Sequence, residues 1–175
     1  MDGYIHNYTG TGKGKTTSAL GLALRSLGAG KKVCIIQFFK KGDFSEIKAL
    51  RKLKEVYGDS LYFTQAGAKR QLFSEVGEKD RLAAQKGEEL FFQLFNEGTF
   101  DLYVLDEINT AAHYGLICPE KFIDGITLSK STGELVMTGR YAPQEFMDIA
   151  DLVTIMEKKK HYADQGVKAR EGIEF

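Results

Sequence analysis

The stretch that decides the fold of this chain is Gly10-Thr11-Gly12-Lys13-Gly14-Lys15-Thr16-Thr17. It follows a short run of strand character, Tyr4–Tyr8, and leads into Lys15–Leu27, where leucines recur at helical spacing. Between a strand and a helix, glycines let backbone N–H groups turn toward an anion, and the positive end of the helix adds to the attraction. The stretch therefore predicts a phosphate-binding loop. The alternative is a glycine-rich turn with a solvated lysine.

The residue types of the loop suit the binding of a nucleoside triphosphate. Lys15 would place a positive charge on the phosphates, and the Thr16 hydroxyl would help to coordinate a magnesium ion that bridges phosphate oxygens. Lys13 adds a second charge, which suits a site that holds a whole polyphosphate chain. The loop departs from the standard spacing G-x-x-x-x-G-K-[ST], because position 9 is threonine instead of glycine. The predicted nucleotide-binding residues of the loop are Gly10, Thr11, Gly12, Lys13, Gly14, Lys15, Thr16 and Thr17.

Segments of strand length alternate with longer amphipathic segments along the rest of the chain. This order predicts an α/β fold with a mostly parallel central sheet flanked by helices. The 175 residues fit one compact domain, residues 1–175. The predicted strands are Tyr4–Tyr8, Val33–Phe39, Leu61–Thr64, Leu102–Leu105, Leu135–Thr138 and Leu152–Ile155. The predicted helices are Lys15–Leu27, Ser45–Tyr57, Glu75–Asn96, Pro119–Ser129 and Pro143–Ala150.

Charged residues follow two of the predicted strands. Asp106 and Glu107 come directly after Leu102–Leu105, and either carboxylate could hold magnesium beside the phosphate loop, because ligands bind at the carboxyl ends of parallel strands. Acidic pairs after a strand also cap helices, which is the alternative. Arg140 would bring a guanidinium to the same edge, where it could neutralise a leaving polyphosphate. Its alternative is an exposed arginine paired with a helix carboxylate.

The composition excludes several classes of function. The 24 basic and 24 acidic residues balance, so no overall charge attracts nucleic acid or an anionic membrane. Cys34 and Cys118, flanked mainly by apolar residues, have no metal-binding spacing, and we interpret both as buried thiols in a reducing cytosol. The start of the chain leaves no room for a signal peptide, and no apolar run approaches the roughly 20 residues of a membrane span. We expect a cytoplasmic protein without nucleic-acid or membrane partners.

Several motifs together resemble the ATP:corrinoid adenosyltransferases, in the branch of that family built on a phosphate loop. The loop is similar to the family's version, including the missing first glycine and the extra lysine. Further similarity lies in Val33–Lys41, Val104–Glu107, Thr138–Arg140 and Lys160–Phe175. The resemblance spans nearly the whole chain.

This resemblance implies a RecA-like P-loop fold and a homodimer that takes ATP, magnesium or manganese, and a reduced corrinoid. In the family, cobalt(I) attacks the 5′-carbon of the ATP ribose and expels tripolyphosphate, in the biosynthesis or salvage of adenosylcobalamin. ATP lies in the family's loop in the direction opposite to that of ordinary P-loop proteins. A flavoprotein reductase would supply the electrons.

The roles of individual residues follow from the same resemblance. Lys13, Lys15 and Arg140 would be the catalytic residues, because they stabilise the departing polyanion. Arg25, on the helix after the loop, would contact the nucleotide. Phe73 would take the place of the aromatic residues with which the family displaces the lower axial ligand of the corrinoid.

The chain also departs from the family pattern. It has no tryptophan, and the irregular segment Gln65–Phe73, which we interpret as a mobile active-site loop, lacks the family's glycine–aromatic pattern. The alternative function is a RecA-like P-loop ATPase or a nucleotide-dependent regulatory binding module, for which the phosphate loop and the acidic strand end would serve equally well. A nucleoside kinase is a third option. The variant loop and the ending Lys160–Phe175 favour the adenosyltransferase.

Overall fold

The structure is a computed structural model that describes residues 3–68 and 76–175. Its strands are β1 (Ile5–Thr9), β2 (Val33–Phe38), β3 (Leu61–Ala66), β4 (Leu102–Asp106), β5 (Glu134–Thr138) and β6 (Leu152–Ile155). Its helices are α1 (Lys15–Gly28), α2 (Ser45–Tyr57), α3 (Glu78–Glu97), α4 (Ile108–His113), α5 (Pro119–Leu128) and α6 (Gln144–Asp148), with short 3₁₀ turns at Gly58–Ser60 and Tyr162–Gln165. None of the described helices is both long and apolar enough to cross a bilayer.

The described strands form one six-stranded sheet with the order β3-β2-β4-β5-β1-β6. All of its strand pairings are parallel. The predicted α/β fold with a parallel central sheet is confirmed. Because the strands run in the same direction, the loops that follow β2, β4, β5 and β1 meet side by side at one edge, where ligands of such sheets bind.

Apolar residues cover both faces of the sheet. The central strands β2 and β4 are buried along their whole length, as expected for parallel strands between two layers of helices. On one face, α1 packs through Ala19, Ala23 and Leu27. On the other face, rings of α3 and α5 stack, with the centroids of Phe91 and Phe122 5.3 Å apart. These two layers hold the strand ends in fixed positions at the ligand-binding edge.

Some predicted boundaries differ from the structure. β3 continues through Ala66, so the first residues of the predicted irregular segment Gln65–Phe73 belong to a strand. Residues 69–75, which include Phe73, lie outside the described residues. Helix α4 has no counterpart among the predicted helices, because its 6 residues are too few to show a helical period. Helix α6 is shorter than the predicted Pro143–Ala150, and Pro143 precedes its first turn.

Cys118 is exposed, so the interpretation of this residue as a buried thiol is wrong. It is the N-cap residue of α5, directly before Pro119, and its thiol donates to Glu120 Oε2 at 3.2 Å. Its apolar neighbour Ile117 points into the core, whereas the cap position faces outward. Cys34 is buried, as predicted, and burial raises the pKa of its thiol to about 12.

Candidate nucleotide-binding site

The phosphate loop connects β1 to α1 and bends around its own lysine. Lys15 Nζ donates hydrogen bonds to the carbonyl oxygens of Gly10 and Gly12, at 2.8 and 2.7 Å. Gly10 and Gly14 have φ of 101° and 124°, a conformation that other residues rarely adopt. A Cβ at Gly10 or Gly12 would also lie 2.5 or 2.8 Å from the carbonyl oxygen of Met156. The path of the loop therefore requires glycine at these positions.

Thr9, where the standard motif has glycine, has a structural role. It ends β1 in a buried position, and its Oγ1 accepts a hydrogen bond from the Ala142 N–H at 3.2 Å. The Met156 N–H donates to the Thr9 carbonyl oxygen at 2.8 Å. Thr9 thus connects the loop to the turn that carries Arg140 and to the segment after β6. The departure from the motif is compatible with a phosphate loop.

Asp106, at the end of β4, is the centre of a buried hydrogen-bond network. Its Oδ1 accepts from the hydroxyls of Thr16 and Thr138, at 2.8 and 2.6 Å, and its Oδ2 accepts from Gln37 Nε2 at 2.9 Å. Gln37 lies opposite Asp106 in the parallel register. Gln65 Nε2 donates in turn to Gln37 Oε1 at 2.8 Å. The network connects four strand ends to the first turn of α1 and fixes the carboxylate beside Thr16.

Lys40 is a residue of this site that the motif analysis missed. It follows β2, and its Nζ lies 3.7 Å from Asp106 Oδ2 and 3.3 Å from Glu107 Oε1. Burial by itself lowers the pKa of Lys40, but the carboxylates of Asp106 and Glu107 outweigh burial and raise the pKa above its usual value. Its one signal in the sequence is its position directly after a predicted strand, at the ligand-binding edge.

Glu107 is engaged on both carboxylate oxygens. Oε1 pairs with Lys40, and Oε2 accepts from the Thr110 hydroxyl. The backbone at Glu107 has φ of 61°, and its N–H donates to Thr138 Oγ1 at 3.1 Å, where the chain turns from β4 into α4. Glu107 is therefore held in the wall of the site, one residue beyond the Asp106 network.

The phosphate loop, Lys40 and Glu107 line a cleft of about 530 Å³ at the carboxyl edge of the sheet, whereas Asp106, which is 1% exposed, is not among the lining residues. Lys13, Lys15, Lys40 and Arg140 bring cationic groups to it, and the carboxylates of Glu46, Glu107 and Glu174 also line it. A triphosphate in the cleft would therefore compete with carboxylates for the same cations. The predicted site residues that line the cleft are Gly12, Lys13, Gly14, Lys15, Thr16, Thr17, Glu107 and Arg140.

Other predicted nucleotide-binding residues are not among those that line the cleft. Gly10 contributes its carbonyl oxygen to Lys15, and Thr11 is exposed. Arg25 lies in the last turn of α1 and is exposed. At 1.5 Å per residue it is about 15 Å along the helix axis from Lys15. Phe73 lies outside the described residues.

Lys15 and Arg140 lie close enough for their charges to interact. The pKa of Lys15 is lowered, first by burial and next by the positive charge of Arg140. The negative charges of Glu107 and Asp106 act in the opposite direction but do not restore it. A bound polyphosphate would raise the pKa again, because a nearby opposite charge favours the protonated lysine.

The C-terminal segment Gly172–Phe175 forms a wall of the cleft. Lys13 Nζ donates to the Ile173 carbonyl oxygen at 2.5 Å and lies 3.6 Å from Glu174 Oε1. A hydrogen bond from the Tyr162 hydroxyl lowers the pKa of Glu174 to about 2, so this carboxylate is ionised at neutral pH. Lys13, predicted to hold the polyphosphate, is therefore paired with a carboxylate of the chain itself.

The residues around Thr16 fit a magnesium or manganese ion. Such cations take oxygen ligands, and the Thr16 hydroxyl and the Asp106 carboxylate lie 2.8 Å apart. Within residues 3–68 and 76–175, no group of three His, Cys, Asp or Glu side chains could hold a metal. A cation beside Thr16 would therefore complete its coordination with phosphate oxygens and water.

The fold and the loop define a class of protein. In this parallel sheet, a glycine-rich loop with a lysine follows β1. The strand β4, which ends in an acidic residue, is separated from β1 by β5. This is the arrangement of a RecA-like P-loop protein. The structure is similar to that of a KaiC-like protein of Pyrococcus horikoshii OT3, with a TM-score of 0.59 and 14% identity, over 91% of this chain and 75% of that chain. The predicted RecA-like P-loop fold is confirmed.

Within this class, the chain belongs to the ATP:corrinoid adenosyltransferase family BtuR/CobO/CobP, whose model matches residues 1–175. It is 30% identical to the corrinoid adenosyltransferase of Escherichia coli (strain K12), over 99% of this chain and 86% of that protein. It is 31% identical to the corrinoid adenosyltransferase CobA of Salmonella typhimurium, with the same coverage of 99% and 86%. An uncharacterized protein of Nostoc sp. is also 31% identical, and the alignment covers 98% of this chain but only about half, 48%, of that protein. The family predicted from the motifs is confirmed, and it is a family of transferases.

Proposed function

We propose that the protein transfers the 5′-deoxyadenosyl group of ATP to the cobalt(I) of a reduced corrinoid and releases tripolyphosphate. The observation that carries this proposal is the cleft of about 530 Å³, where the phosphate loop, Lys40 and Arg140 surround a space of the size of a ligand pocket. Membership of the family supports the corrinoid as second substrate. The product would serve the biosynthesis or salvage of adenosylcobalamin.

The proposed reaction needs stabilisation of charge more than transfer of protons. Cobalt(I), which belongs to the substrate, donates an electron pair to C5′ and forms a cobalt–carbon bond. The C5′–O5′ bond breaks, and its electrons leave on the oxygen of tripolyphosphate. No proton moves in this step. Lys13, Lys15 and Arg140 line the cleft, where they can stabilise the negative charge that grows on the leaving group.

The contacts of Glu107 favour this reaction over ATP hydrolysis. Hydrolysis needs a group that orients water or accepts its proton near the terminal phosphate. Glu107, after the acidic end of β4, is the candidate in this cleft, but Lys40 lies 3.3 Å from one of its oxygens and the Thr110 hydroxyl donates to the other. Both oxygens of this carboxylate are therefore already held by other groups of the site. The site therefore suits a reaction that requires no base.

A magnesium or manganese ion is part of the proposal. Bound at Thr16 and Asp106, such an ion supplies positive charge to the phosphate oxygens of ATP. Lys40 lies near both candidate carboxylates, but Asp106 is the one that contacts Thr16, so Asp106 is the better placed. Arg25 and Phe73 keep their proposed roles toward the nucleotide and the corrinoid.

We also propose a cytoplasmic homodimer of single-domain chains that receives its electrons from a flavoprotein reductase. Cobalt(I) is a strong reductant, so its reduction and use are expected in one reducing compartment. The edge strand β6 supports self-association, because it exposes the apolar side chains of Leu152, Val153 and Ile155. An exposed apolar edge strand tends to pair with another chain. Sedimentation velocity should give twice the 19.5 kDa of one chain, and a monomer at all concentrations would contradict this part of the proposal.

The test of the proposed function is a product analysis. Purified protein is mixed with ATP, magnesium and chemically reduced cob(I)alamin, and the absorption spectrum is followed together with the phosphate products. We expect the spectrum of adenosylcobalamin and one tripolyphosphate for each cobalt–carbon bond. Release of ADP and orthophosphate without alkylation of the corrinoid would contradict the proposal and favour a P-loop ATPase.

A further inference from the structure

An aromatic cluster lies beside the cleft and takes no part in the contacts described above. Phe39 stacks on Tyr114, with ring centroids 5.2 Å apart and planes at 15°. The His113 ring lies 5.1 Å from the Tyr114 ring and 4.6 Å from the Tyr141 ring. We call Phe39, His113, Tyr114 and Tyr141 the aromatic cluster.

The aromatic cluster extends across the ends of three neighbouring strands. Phe39 follows β2, His113 and Tyr114 lie at the end of α4 after β4, and Tyr141 comes shortly after β5. Since neighbouring strands lie about 4.8 Å apart, the cluster spans about 10 Å. Its chain neighbours Lys40 and Arg140 line the cleft, so the cluster adjoins the proposed triphosphate site.

Two members of the aromatic cluster have an unusual backbone conformation. Among the described residues, those other than glycine with positive φ are Phe39 at 61°, Glu107 at 61° and Tyr141 at 56°. Bulky residues avoid this region, and strained backbone concentrates at ligand sites. Tyr114 and Tyr141 nevertheless leave 50% and 52% of their surface exposed. Phe39 packs partly against the core, but burial does not account for the conformation of the half-exposed Tyr141, which a ligand site would explain.

We propose that the aromatic cluster binds one face of the corrin macrocycle. This inference rests on the proposed adenosyl transfer. A flat and largely apolar macrocycle buries area against the rings, while the hydroxyls of Tyr114 and Tyr141 can hydrogen-bond amide groups at its rim. Adenine is the competing occupant, but the cluster is wider than a purine. Its position beside Arg140 would bring the macrocycle close to the carbon that leaves the triphosphate.

Removal of single rings tests the inference. Tyr114→Ala and Tyr141→Gly act on half-exposed side chains, and glycine adopts φ of 56° freely, so both variants should melt close to wild type. We expect each to raise the KM for cob(I)alamin on the order of tenfold, with the KM for ATP unchanged. Tyr114→Phe keeps the ring and should bind corrinoid nearly as well as wild type. Tyr4→Ala is the matched control, because Tyr4 is 59% exposed before β1, at the opposite edge of the sheet.

Equilibrium dialysis with cob(II)alamin adds a measurement that does not depend on turnover. Weaker binding by Tyr114→Ala and Tyr141→Gly, but not by Tyr4→Ala, supports the inference. Unchanged corrinoid binding in folded variants overturns it, and so does an increase in the KM for ATP alone, which would assign the rings to adenine. If wild type binds cob(II)alamin through these tyrosines and forms no adenosylcobalamin, the proposed function fails while this inference holds.

Discussion

Lys15 is the residue on which binding of the triphosphate depends most. Burial and the charge of Arg140 lower its pKa, so an approaching phosphate gains a cationic partner and also relieves this unfavourable environment. We predict that Lys15→Ala weakens ATP binding and lowers turnover on the order of 100-fold or more. Initial rates and calorimetric titration with ATP measure both effects.

A matched control for this prediction is Lys31→Ala, an exposed lysine between α1 and β2 at the opposite edge of the sheet. It should leave ATP binding and turnover unchanged. Turnover of Lys15→Ala close to that of wild type would contradict the role of the phosphate loop.

Asp106 tests the metal site, because it is the carboxylate in contact with Thr16. Asparagine keeps the shape of the side chain and one acceptor oxygen but loses the charge that attracts a divalent cation. We predict that Asp106→Asn weakens manganese binding in the presence of ATP and lowers turnover on the order of 100-fold. Electron paramagnetic resonance of free manganese measures the binding. Glu107→Gln should have a smaller effect and the exposed Asp59→Asn none, whereas equal manganese affinity in wild type and Asp106→Asn would place the metal elsewhere.

The residues of the site divide into those with a local signal in the sequence and those without one. Lys15, Thr16 and Asp106 belong to motifs whose spacing indicates their chemistry, and the structure brings Thr16 and Asp106 into contact. Gln37 and Lys40 lie in Val33–Lys41, which resembles the family, but no spacing in that stretch indicates what these two residues do. Their role depends on the register that places Gln37 opposite Asp106 across two strands, and no local pattern encodes that register.

The C-terminal segment Gly172–Phe175 is the element that competes with phosphate. Glu174 lies 3.6 Å from Lys13 Nζ, so its carboxylate offers this lysine a partner when a polyphosphate departs. We predict that Glu174→Gln strengthens inhibition by the product tripolyphosphate about fivefold, because Lys13 loses the carboxylate that competes with the product. Steady-state inhibition by tripolyphosphate measures the effect.

Glu171→Gln is the matched control for this element. Glu171 directly precedes this segment, and its carboxylate pairs with Lys48 at 3.1 Å. Its substitution should leave inhibition by tripolyphosphate unchanged. An equal change in both variants, or none in Glu174→Gln, would show that the segment does not compete with the product.

The elements of the fold follow from the sequence except where they are short or irregular. Each predicted strand has its counterpart in the sheet, because apolar runs of strand length between helices leave few alternatives. Helix α4 could not be predicted, because the helical conformation of its 6 residues depends on their packing beneath the site. The sequence also could not predict the role of Gly172–Phe175, because that role depends on a contact between residues far apart in the chain.

The order of strands in the sheet explains how the whole molecule could bring two large substrates together. The phosphate loop follows β1, and Arg140 follows β5. The aromatic cluster lies at the ends of β5, β4 and β2. The proposed triphosphate and corrinoid sites therefore adjoin at the end of β5. The reacting carbon must lie at this boundary, between the leaving polyphosphate and the cobalt.

The most direct test of adenosyl transfer follows the 5′-oxygen of ATP. The protein is incubated with cob(I)alamin, magnesium and ATP labelled with ¹⁸O at the 5′-oxygen, and the products are analysed by mass spectrometry. Attack of cobalt on C5′ breaks the C5′–O5′ bond, so we predict that all of the label leaves in tripolyphosphate and none stays with the nucleoside. Label retained on the nucleoside, or found in ADP, would show cleavage of a phosphorus–oxygen bond and would contradict the proposed function.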